Sequence, residues 1–104
     1  GTEAGFLQQV KALAGACGWL PYHSRRSKGS DPGFPDLVLV KDGKLLFWEL
    51  KMEPARVKAG RLTNGQRAWA GELLRVAHDT RGRVQYRVLR PEDWRFIEST
   101  LKEE

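Results

Sequence analysis

The sequence predicts an α/β fold, a small mixed α+β sheet with helices packed on it, and three observations carry that prediction. Segments with three- and four-residue apolar spacing alternate with short runs of strand composition. Two of those runs flank Asp42-Gly43, a pair suited to a two-residue hairpin turn of type I′. Both faces of these runs are apolar over most of their length, which predicts central strands covered on both sides.

The elements follow in order. Residues 3–16 read as a helix with Thr2 as N-cap and an apolar stripe of Phe6, Leu7, Val10, Leu13, Ala14 and Cys17, stopped between Gly15 and Gly18. Residues 19–23 are short and extended, and Pro21 makes them an edge strand. Residues 24–34 have loop composition. The hairpin runs over 36–51, and a second loop over 52–62 carries Arg56, Lys58 and Arg61. A helix opens at Thr63–Gln66 and runs to about Ala77, with Trp69, Leu73 and Val76 as its buried stripe and Ala70, Leu74 and Ala77 beside it. Residues 83–89 alternate as a strand, with Val84, Tyr86 and Val88 on one face. Pro91 suits the first position of a last helix, held down by Trp94, Ile97 and Leu101. The order is α-β-β-β-α-β-α in one domain over residues 1–104, without internal repeats.

Composition narrows the function classes. The longest apolar runs are Leu37–Val40 and Leu45–Trp48, too short for a membrane span, and no stretch reads as a secretory signal. The single cysteine, Cys17, excludes an internal disulfide framework. With His23 and His78 as the only histidines, a zinc site of Cys and His ligands is disfavoured, and any metal is expected to be hard and oxygen-bound. Eighteen Lys and Arg against thirteen Asp and Glu leave a net charge of +5, which makes nucleic acid the first candidate partner. Cys17 and His78 read as structural, and the four tryptophans as core or interface residues.

The hairpin turn serves as a ruler. With Asp42 and Gly43 at its centre, Lys41 faces Lys44, Val38 faces Phe47 and Asp36 faces Glu49. Directly opposed residues have Cβ atoms about 4.5–5.5 Å apart, so two carboxylates stand side by side at the open end of the hairpin. Lys51 projects from the same face as Glu49, and Leu50 from the other. Opposed like charges destabilise a sheet. A shared proton, Lys51 as counter-ion, or a bridging divalent cation each offsets them. Spacing alone leaves open both a surface charge cluster and a metal site.

Pro35-Asp36, twelve residues, then Glu49-Leu50-Lys51 is the pattern of the PD-(D/E)XK nucleases. The blocks 33–40 (GFPDLVLV), 47–51 (FWELK) and 62–66 (LTNGQ) followed by Trp69 resemble the VRR-NUC branch of that superfamily, and the resemblance runs from Glu3 to about Leu101. It implies a restriction-endonuclease-like αβββαβ core with an additional C-terminal helix. It implies a metal-dependent DNA endonuclease selective for branched, flap or Holliday-junction DNA. Mg2+ or Mn2+ would be held by Asp36, Glu49 and the Leu50 carbonyl, with Glu3 as a further acid on the core-facing edge of the first helix. Lys51 would position or deprotonate the attacking water. Gln66 would orient a water or phosphate, a role competing with its place in a Thr63-x-x-Gln66 capping box. His23, Arg25, Arg26, Lys28, Lys58 and Arg61 would contact nucleic acid. A homodimer, a bacterial or phage source and a cytoplasmic location complete the expectation. Its rivals are a non-catalytic nucleic-acid-binding module of the same fold and a charged structural domain with no nucleic-acid partner.

Overall fold

A computed structural model describes residues 1–24 and 31–104. The chain is mixed α+β, with a four-stranded mixed sheet and three α-helices. Helix α1 (Glu3–Ala16) is followed by β1 (Leu20–His23), β2 (Leu37–Lys41) and β3 (Lys44–Leu50). A 3-10 turn at Lys58–Gly60 precedes α2 (Asn64–Asp79), and β4 (Val84–Leu89), a second 3-10 turn at Pro91–Asp93 and α3 (Trp94–Lys102) complete the chain. Among the described residues no helix is long and apolar enough to cross a membrane.

The sheet order is β1-β2-β3-β4, with antiparallel pairing through β3 and β4 parallel to it. A parallel pair needs a crossover, and α2 supplies it. The turn between β2 and β3 has φ of 49° at Asp42 and 75° at Gly43, the type I′ geometry that matches strand twist. It sets the register, with Lys41 facing Lys44, Val38 facing Phe47 and Leu37 facing Trp48. Pro21 lies on the outermost strand, where its missing N–H costs least.

Because β-strand side chains alternate, the sheet has two distinct faces. Leu37, Leu39, Leu46, Trp48, Leu50 and Leu89 pack with Phe6, Leu7, Val10, Ala14 and Trp19 and with Ile97 and Leu101 of α3. Trp19 also donates its indole N–H to the Leu101 carbonyl at 3.0 Å, tying the α1–β1 junction to α3. Among the described residues α2 is the one helix that covers the opposite face, through Ala70 and Leu73 against Tyr86, with Phe47, Leu62, Trp69 and Val88 around them.

That single-helix cover corrects two expectations, and a third falls at Pro91. Strand β2 is not enclosed on both sides: Val40 is 42% exposed, beside Leu20 and Tyr22 on β1. Helix α2 leads from β3 to β4, so its footprint falls on those strands. The buried stripe of α2 is Gln66, Ala70 and Leu73, while Leu74 and Val76 face solvent and Trp69 is half-buried. The cap at Thr63 turns Gln66 toward the sheet, and the 3.6-residue repeat then carries the stripe to 70 and 73. Pro91 opens a 3-10 turn, and the α-helix begins at Trp94.

One close backbone crossing fixes the loop ahead of β2. A Cβ on Gly33, where φ is +90°, would lie 2.2 Å from the carbonyl carbon of Gly65. Phe34 then packs edge-on against Trp69 and Phe47, with centroids 4.9 and 6.0 Å away. The strand entry bearing Asp36 is thereby locked to the start of α2. Gly33→Ala is expected to lower Tm sharply, through both clash and positive φ. Gly71→Ala, with open space at its Cβ in α2, is expected to raise stability by roughly 0.5–1 kcal/mol. Paired thermal melts check both.

Candidate active site at the end of the hairpin

The register that seats Leu37 opposite Trp48 brings Asp36 opposite Glu49 one step further out. Their polar atoms interlock with the backbone. Asp36 donates its N–H to Glu49 Oε1 at 3.3 Å, and Leu50 donates its N–H to Asp36 Oδ2 at 2.9 Å. Pro35, buried and with fixed φ, leads directly into this position. The carbonyl of a strand residue lies on the same strand edge as its N–H, so Leu50 directs its oxygen toward the Asp36 side.

Glu49 is 1% exposed, and a buried carboxylate needs partners. Gln66 donates from Nε2 to Glu49 Oε2 at 2.7 Å, and Lys51 Nζ lies 3.9 Å from the same oxygen. Lys51 also donates to Gln66 Oε1 at 3.0 Å. Burial, reinforced by the neighbouring Asp36 carboxyl and only partly opposed by Lys51, pushes the Glu49 pKa up to about 8. Lys51 thus stands as counter-ion to the opposed acids, and Glu49 holds its proton more tightly than an ordinary carboxyl. Tyr86, inside the same apolar face, is pushed up to about 12 by burial and by the charges of Glu49 and Asp36.

Gln66 completes the expected capping box and at the same time contacts both Glu49 and Lys51. Its Oε1 accepts from the Thr63 N–H at 2.9 Å while its own N–H donates to Thr63 Oγ1 at 3.2 Å, completing the capping box. Its Nε2 remains for Glu49. Capping and the contact to Glu49 do not compete, because an amide is donor and acceptor together.

Beside Asp36 lies an open cleft of 610 Å³, lined by Glu3, Ala4, Leu7, His23, Ser24, Asp36 and Leu50. Glu3 is exposed rather than at a buried edge: it sits in the first turn of α1, beyond the cover of the sheet, and reaches the site only as a wall of this cleft. His23 is half-buried at the end of β1, and Ser24 ties that strand end to the Pro35 carbonyl at 2.7 Å. Glu49 stands behind Asp36 on the α2 side. Lys58 and Arg61 are exposed on the loop after Lys51. Arg25, Arg26 and Lys28 lie outside the described residues.

Among the described residues no group of three or more His, Cys, Asp and Glu side chains converges as a metal cage. The residues that could hold a metal ion there are Asp36 and Glu49, with the Leu50 carbonyl, all of them hard-oxygen donors of the kind magnesium takes. Sequence reasoning missed the Gly33–Gly65 crossing and the place of Tyr86 near the acids. A glycine in the loop before β2 and another in the first turn of α2 were the available signal for the first. The second depends on the β3–β4 register, which no local pattern encodes. Comparison with protein-family models, with curated proteins and with solved structures finds no match.

Glu49 keeps its proton to about pH 8 in the folded, metal-free chain and loses it near 4.5 when unfolded. The folded state therefore binds more protons across that window, and stability falls as pH rises through it. Thermal melts in chelator are expected to show Tm dropping from about pH 5 to about pH 8, with Glu49→Gln flattening the profile. A Tm that climbs over this range overturns the assignment.

Proposed function

We propose that this chain is a metal-dependent DNA endonuclease with a restriction-endonuclease-like core of the VRR-NUC type, acting on branched, flap or Holliday-junction DNA. The observation that carries the reading is the joined set of Asp36, Glu49, Lys51 and Gln66 at one hairpin end, with Asp36 opening on a cleft. Buried opposed acids weaken a fold, and phosphodiester hydrolysis gives them a use. Asp36, Glu49 and the Leu50 carbonyl would hold a magnesium or manganese ion. Such an ion, when bound, supplies Lewis acidity and a more acidic water.

The remaining steps belong to the chain. Lys51, 11% exposed at its side chain, offers a cation at the rim of the acid pair, where it orients the attacking water and offsets charge gathering on the phosphate. Gln66 holds Lys51 and Glu49 in fixed relation. Glu3 and His23 wall the cleft, where an acid can assist a second ion and an imidazole can contact a phosphate oxygen. A molecule this small offers little surface for base readout, so selectivity would rest on DNA shape.

Plasmid and branched DNA incubated with magnesium or manganese test the reading. Cleavage is expected for the wild type, and a loss of about 10²–10⁴-fold for Lys51→Ala. Asp36→Ala should be inactive. Metal-independent binding without any cleavage favours the non-catalytic module instead.

A homodimer belongs to the same proposal, since two sites are needed for paired cuts and two-fold dimers are the commonest assembly. Exposed Leu20, Tyr22 and Val40 are in keeping with it. Sedimentation should give twice the chain mass; a monomer at high micromolar concentration removes the dimer.

A further inference from the structure

Residues 52–65 leave the acid site at Lys51 and return to it at Gln66, whose side chains meet at 3.0 Å. The loop is closed a second time at its waist. Arg90, just after β4, donates from Nε to the Glu53 carbonyl at 2.8 Å and from Nη2 to the Gly60 carbonyl at 2.7 Å. One planar fork thus joins both arms of the loop, a geometry a lysine does not reproduce. Inside the loop, the N–H groups of Val57, Gly60 and Arg61 donate to the carbonyls of Pro54, Val57 and Lys58. Gly60 is buried, and a Cβ there would fall 2.0 Å from the Pro54 carbonyl oxygen. The backbone therefore has one tightly constrained shape.

On that frame Arg56, Lys58 and Arg61 are exposed. Glu53 is the one acid between Lys51 and Gln66. None of the three cations joins an ion pair among the described residues. An ordinary solvated loop needs neither a two-carbonyl staple nor a fixed cationic crest beside an acidic site. Fixing such a crest beforehand removes the entropy cost of ordering it on a ligand.

We infer that residues 53–61 form a prebuilt grip for the phosphate backbone of duplex DNA running past Lys51, with Arg90 as the positioning residue that sets its shape. The choice of partner rests on the nuclease reading. Phosphate contacts of this kind position a duplex without reading its bases.

Fluorescence anisotropy of a labelled duplex, titrated with the full chain in EDTA at several salt concentrations, tests the grip without any cleavage. The triple variant R56A/K58A/R61A is expected to lose about tenfold or more in affinity at low salt, and to flatten the log–log salt slope by roughly two to three. Arg90→Ala and Arg90→Lys are expected to weaken binding several-fold with the slope unchanged, because the phosphate contacts survive and only their ordering is lost. Hydrogen exchange at Val57, Gly60 and Arg61 should quicken in both. Arg90→Lys keeps the charge and carries the test if the alanine variant unfolds. Wild-type affinity and slope in the triple variant overturn the grip. A slope lowered by about one in Arg90→Ala makes Arg90 a direct phosphate contact and overturns its positioning role. A chain that binds as expected but cleaves nothing upholds the grip and overturns the nuclease. A chain that cleaves DNA while the triple variant binds normally does the reverse.

Discussion

Two carboxyl groups held against each other by a two-residue turn are the constraint on which the rest of this molecule depends. The turn at Asp42-Gly43 permits one register, and that register leaves Asp36 and Glu49 no separate environments. Everything nearby then answers a problem of charge. Backbone N–H groups from Asp36 and Leu50 reach the acids, Gln66 donates to one of them, and Lys51 stands within 3.9 Å. Even so, Glu49 holds its proton to about pH 8, so the neutralisation by the protein alone is incomplete.

The parts of this arrangement that were legible in the sequence are those governed by local rules. Helix α1 starts at its expected cap, with Thr2 Oγ1 accepting from the Gly5 N–H. The hairpin follows from one dipeptide and its flanking apolar runs. The acid pairing follows from the hairpin by counting, and Lys51 from the alternation of side chains. Gln66 was legible twice, as a cap and as a site residue, yet the compatibility of the two roles appears only when both ends of the amide have partners.

What stayed hidden depends on packing between distant segments. The reach of α2 across the sheet decides that Val40 and Val76 face solvent, and neither the spacing of β2 nor that of α2 carries that information. The exposure of Glu3 has the same origin, since its helical phase points coreward but the sheet ends before its turn. The staple by Arg90 joins residues 30 and 37 positions away, through main-chain oxygens that have no side-chain signature. Gly33 looks like an ordinary loop glycine, and Gly65 like an ordinary first-turn glycine of a helix, until their backbones cross with no room for a methyl group on Gly33.

The identity of residue 66 shows how closely fold and chemistry are joined. Its side chain must accept from the Thr63 N–H and from Lys51 while donating to Glu49. A glutamate would accept twice but set a third acid against Glu49; a lysine would donate but leave the Thr63 N–H without its acceptor. A primary amide of this length satisfies all three demands. The first turn of α2 and the electrostatics of the acid pair are therefore one structure. Loosening the helix start frees Lys51 and exposes Glu49 to Asp36 without a mediator, so the geometry that holds the acid pair is also what seats the helix covering the sheet.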